Sequence, residues 1–102
     1  MAPMSEQELT DFLILRSLDE PITEDELEDA AAQSGDVLQE LRAEGNEIRW
    51  IESEIMTNED GEITGTFCQY RAEEKEIIHE HADRAGLPAT RVDRRGEPLE
   101  GE

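Results

Sequence analysis

Apolar residues fall in two rhythms along this chain, short runs or alternations suited to strands and longer stripes suited to helices. "DFLILRSL", residues 11–18, sets Phe12, Leu13, Ile14 and Leu15 side by side. The run is too short for a free-standing helix and apolar on both sides, so it predicts a central strand covered on both faces. After Pro21, Thr23 is followed three residues later by Glu26, the spacing of a capping box, with further acids where a helix N-terminus favours them. Leu27, Ala30, Ala31, Ser34, Val37, Leu38 and Leu41 then follow helical spacing, and Gly45 is a natural terminator. Gly35 weakens the middle of this helix by about 1 kcal/mol relative to alanine.

Residues 47–56, "EIRWIESEIM", and 62–72, "EITGTFCQYRA", read as two strands joined through "NEDG". With Asp60-Gly61 as a two-residue type I′ turn, Ile51, Ser53 and Ile55 share a face with Thr64, Thr66, Cys68 and Tyr70. Ile48, Trp50, Glu52, Glu54, Ile63 and Phe67 then take the other face. A second helix runs from Glu73 to Ala85, with Ile77, Ile78, His81, Ala82 and Ala85 on its apolar stripe. Gly86 closes it, Leu87 supplies the hydrophobic contact of a Schellman motif, and Pro88 prevents continuation. Val92 marks a short last strand.

The order is βαββαβ, which predicts an α+β, ferredoxin-like sandwich: an antiparallel sheet with two helices on one face. The folded domain is expected over 9–93, after a disordered lead at 1–8 and before a solvated acidic tail at 94–102. Two helices leave the second sheet face open, and either parity places large apolar groups there. A homodimer packed through the open sheet face, a dimeric α+β barrel, is therefore expected.

Charge sharpens this picture. The 102 residues include 28 acidic and 9 basic side chains, a net charge of -19, a field that repels polyanions and excludes ordinary nucleic-acid and anionic-membrane binding. Every basic residue except Lys75 is arginine. That pattern suits the surface of a halophilic cytoplasmic protein, whose self-repulsion molar salt screens. Cys68 is the single cysteine, which fits a reducing compartment, and "MAPMSEQELT" has neither the basic region nor the apolar run of a signal peptide. No stretch reaches membrane-spanning length.

The chain holds two histidines, in "HEHADRAG". Residues two apart lie about 200° apart around a helix, so His79 and His81 cannot chelate one ion within a protomer. His79 sits among charged neighbours and reads as a surface residue. His81 lies on the apolar stripe, as a packed histidine hydrogen-bonded in the core or as a metal ligand or proton carrier between helix and sheet. Cys68 is either a small buried hydrophobe or, if its face is the helix-covered one, a sulfur able to meet His81 across the core. Sulfur with imidazole suits nickel or another divalent transition metal better than calcium or magnesium, and Tyr70 on the Cys68 face is a further candidate ligand. The chain carries no nucleophile elbow, phosphate-cradling loop, dinucleotide fingerprint or standard metal spacing.

"ITEDELEDAAAQSGDVLQEL", "FCQYRA" and "IIHEHADRAGLPATRV" together resemble a family of small bacterial and archaeal proteins over about residues 11–93. Its members show a "T-x-E-E-L" helix start, a "Y-C-x-Y-x-A" strand and an "E-H-A-x-x-A-G-x-P" helix end. The resemblance implies a ferredoxin-like fold that dimerises as an α+β barrel, and nickel binding of the kind described for a characterised member. Cys68, Tyr70 and His81 fall on motif positions, whereas Phe67 replaces a common tyrosine and "TNEDGEITG" is longer than the usual hairpin.

The favoured expectation is a dimeric binding protein that sequesters a divalent transition ion, nickel first, with no catalytic residues. The alternatives are an interaction module without site chemistry, or an enzyme with His81 as general acid or base and Tyr70 as donor. The surface charge generates its own test. The thermal unfolding midpoint should rise by roughly 10 °C between 0.1 M and 2 M KCl, about 2 kcal/mol for a domain this size. A midpoint indifferent to salt would contradict the halophilic reading.

Overall fold

A computed structural model describes residues 8–102; residues 1–7, and with them most of the expected lead, lie outside the described part. The elements are β1 (Thr10–Ile22), α1 (Glu24–Ala43), β2 (Ile48–Thr57), β3 (Ile63–Ala72), α2 (Lys75–Ala85) and β4 (Arg91–Arg94). The four strands form one antiparallel sheet in the order β2-β3-β1-β4. This is the expected βαββαβ α+β sandwich. No helix among the described residues is long and apolar enough to cross a membrane.

Local chemistry explains both helices. Thr23 and Glu26 complete the capping box, with the Glu26 amide donating to Thr23 Oγ1 and the Thr23 amide to Glu26 Oε1. At the other end of the layer, Gly86 takes a left-handed φ of 70° and the Leu87 amide donates to the Ala82 carbonyl. Leu87 packs on the core as the Schellman closure requires. Arg84 reaches Glu44 at the end of α1 and Glu80 on its own helix, tying the helices at the surface.

The strands differ from expectation in three places. β1 continues to Ile22, with its pairing slipping between Ser17 and Ile22, so it outruns the apolar stretch that announced it. The β2–β3 loop is not a two-residue type I′ turn, which would need positive φ at both central residues; only Gly61 has it, at 82°. Instead the Gly61 amide donates to the Asn58 carbonyl and the Asn58 amide to Glu62, closing a three-residue loop. The Asn58 side chain accepts from the Asp60 and Glu62 amides. The register still pairs Ser53 with Cys68 and Ile55 with Thr66.

The third difference is a shift at Ile51, between the pairs Trp50↔Tyr70 and Glu52↔Gln69. It moves Ile48 and Trp50 onto the face of Cys68 and Tyr70, opposite to the uninterrupted alternation expected from sequence. The helix-covered face therefore carries Phe12, Ile14, Ile48, Cys68, Tyr70 and Val92, all buried. The open face keeps Leu13, Leu15 and Phe67, with Phe67 opposite Leu15 and 42 % exposed. β4 ends at Arg94, one residue into the stretch read as tail.

Two glycines should respond oppositely to alanine. A Cβ on Gly65 would strike the main-chain carbonyl of Arg16, so Gly65→Ala should destabilise by about 1–3 kcal/mol, as overpacking does. A Cβ on Gly35 meets nothing within 4 Å, so Gly35→Ala should stabilise by roughly 0.5–1 kcal/mol. Urea unfolding of both variants checks the pair.

Candidate functional site

The structure brings Cys68, Tyr70 and His81 to one side of the sheet, under the helices. Cys68 and Tyr70 follow each other on β3, pointing to the same face because strand side chains alternate. His81 comes down from α2 beside Tyr70 and is fully buried, whereas His79 is exposed. The Tyr70 and His81 ring centroids are 5.3 Å apart at an interplanar angle of 46°. Cys68 Sγ lies 3.4 Å from Thr66 Oγ1 as a weak donor, and among the described residues no base contacts the thiol in the manner of an activated nucleophile.

His81 Nε2 lies 3.0 Å from Ser34 Oγ and 3.4 Å from the Ser34 carbonyl oxygen, on α1. A carbonyl can only accept, so that second contact assigns the proton to Nε2 and leaves a lone pair on Nδ1. Nδ1 is buried and has no partner among the described residues. Burial, followed by the nearby charge of Arg16, pushes the imidazole pKa down to about 4, against a smaller upward pull from the Ser34 carbonyl. His81 is thus neutral at physiological pH.

Above this cluster α1 does not close on the sheet along its whole length. Val37, Leu38 and Leu41 in its C-terminal half are buried, while Leu27 and Ala30 toward its start are only half-buried and Ala31 is exposed. Between that lifted end and the strands lies a cleft of about 240 Å³. Its floor is Trp50, Ser53, Ile55, Thr66, Cys68 and Tyr70, and its roof includes Leu27, Ala30 and Ser34.

Arg16 also lines the cleft and is 4 % exposed. It follows Phe12 and Ile14 at the same parity on β1, at a position the sheet gives to the core. Nη1 donates to the Pro88 carbonyl at 2.8 Å, and the guanidinium carbon lies 5.7 Å from the centre of the Tyr70 ring. Nη2 is buried without a partner among the described residues. Arg16, Ser34 and Trp50 were not singled out as site residues from sequence. The available signal was an arginine at core parity inside an apolar strand.

A family-implied nickel ion finds an incomplete donor set. Among the described residues no group of three or more His, Cys, Asp or Glu side chains is placed to hold a metal. Cys68 and Tyr70 line the cleft together with the fixed cation of Arg16, while His81 packs against the Tyr70 ring and is not part of the lining.

These features define a small two-layer α+β protein with a half-open cleft between helix and sheet. The chain belongs to the family described as nickel responsive protein SCO4226-like, which it matches over residues 12–94. Among solved structures it is similar to 5-chloro-2-hydroxyhydroquinone dehydrochlorinase from Burkholderia phenoliruptrix AC1100, in complex with 2,5-dihydroxybenzoquinone. That likeness has 24% identity and a TM-score of 0.51, covers 86% of this chain and 95% of that chain, and shows a shared fold. No curated protein matches this chain.

The His81 geometry sets a pH dependence. The unfolded imidazole titrates near 6.5 and the folded one near 4, so the unfolded chain takes up a proton the folded chain refuses. Stability from this group is complete above pH 6.5 and is lost as pH falls to 4, by an amount on the order of 3 kcal/mol. The stability difference between wild type and His81→Gln, followed by urea unfolding from pH 8 to pH 4, should shrink by that order. A constant difference would contradict the buried neutral imidazole.

Proposed function

We propose that the protein is a cytoplasmic, dimeric binding protein that responds to a divalent transition metal, nickel first, and does no catalysis. The observation that carries this reading is the family match across residues 12–94. The site chemistry is compatible with it. A neutral imidazole with an unprotonated Nδ1 is the form that coordinates, and a thiolate is the soft donor that selects nickel, copper, zinc or cobalt over calcium.

Cys68, Tyr70 and His81 are the proposed protein ligands, with water completing the coordination. The second copy docks on the open face through Leu13, Leu15 and Phe67, and the sheet separates it from these donors. The charge on Arg16 opposes a bare cation in the same cleft, which limits the affinity to an ion that is taken up and released.

Calorimetric titration of nickel chloride into reduced, metal-stripped protein in about 2 M KCl tests the reading. One saturable site per chain is expected, weakened at least tenfold by Cys68→Ser and by His81→Gln, about 1.4 kcal/mol. Molar salt screens diffuse carboxylate binding. No heat above dilution, or binding that neither substitution alters, would overturn the assignment.

A further inference from the structure

We propose that the cleft beneath the lifted end of α1 is a binding site for a small monocyclic organic carboxylate, recognised by Arg16. The inference is independent of metal binding.

It rests first on a cation without a counter-ion. Buried arginines are ordinarily paired, because an uncompensated buried charge is costly. Here 28 acidic residues are available in the sequence, yet none lines the cleft and none forms an ion pair with Arg16 among the described residues. The guanidinium is held in place by the Pro88 carbonyl and the Tyr70 ring, leaving Nη2 unsatisfied among the described residues. A carboxylate supplies what is missing, since its two oxygens match the planar fork of the guanidinium.

The rest of the cleft limits the body of the ligand. About 240 Å³ exceeds the roughly 150 Å³ of a cavity that admits benzene, so one ring bearing a carboxylate fits. Leu27, Ala30, Ile55 and Leu87 offer apolar contact, while Ser53 and Thr66 offer hydroxyls to ring substituents. One buried cation matches one negative charge, and the acidic exterior disfavours polyanions such as nucleotides.

Trp50, the single tryptophan, lines the cleft and donates its indole N–H to Ser53 Oγ at 2.8 Å. Its fluorescence therefore reports occupancy. Metal-stripped, full-length protein is titrated with benzoate and, separately, with the neutral isostere benzamide. Saturable change in Trp50 emission is expected, with benzoate at least tenfold tighter than benzamide. Arg16→Gln should abolish that preference while leaving benzamide unchanged. Equal affinity for the two probes in wild type, no saturation with benzoate, or a benzoate preference that survives in Arg16→Gln would each overturn the proposal. If Arg16→Gln does not fold, the wild-type comparison decides alone. Because no metal is present, failure here is distinct from failure of the nickel titration.

Discussion

The buried contacts of His81 Nε2 with Ser34 Oγ and the Ser34 carbonyl join the two helices from inside, and the arrangement of the site depends on them. Ser34 sits midway along α1 and His81 near the end of α2, and both are buried. A charged imidazole there would carry an unsolvated charge toward the guanidinium of Arg16, so the ring stays neutral. Joined at this point, the C-terminal half of α1 packs down through Val37, Leu38 and Leu41. The half before Ser34 lifts away from the strands and leaves the cleft.

Charge is distributed in the opposite sense inside and outside. The exterior is dominated by carboxylates, with Arg84, Arg71 and Arg91 engaged in exposed ion pairs that contribute little individually. Inside, the sheet buries Arg16, which among the described residues has one nitrogen without a partner and forms no ion pair with a carboxylate. A cation and an organic anion thus make opposite electrostatic demands on the same cleft. Substituting Arg16 distinguishes the two proposals experimentally.

Much of the fold was legible because its signals are local. The capping box at Thr23 and Glu26, the Gly86-Leu87-Pro88 closure and the apolar stripe of α2 act within a few residues and formed as read, whereas the α1 stripe is buried only from Ser34 onward and leaves Ala31 exposed. The βαββαβ order followed from them. Where sequence reasoning went astray, a backbone irregularity intervened that alternation cannot register. A type I′ turn was expected at Asp60-Gly61, but Asp60 does not adopt positive φ. The shift at Ile51 then turned Trp50 toward the helices. Within the site, the shared face of Cys68 and Tyr70 and the burial of His81 followed from period alone. Arg16 was hidden in a run read for its leucines and isoleucine, although its parity with Phe12 and Ile14 marked it.

Direct observation of the His81 ring nitrogens decides whether a neutral imidazole pins the two helices. In a nitrogen-resolved NMR titration of metal-stripped protein between pH 8 and pH 5, His81 is predicted to keep its proton on Nε2, with Nδ1 unprotonated throughout. Protonation of both nitrogens near pH 6.5, or a proton on Nδ1 with Nε2 bare, would contradict it. Either result would mean that the helices are held some other way.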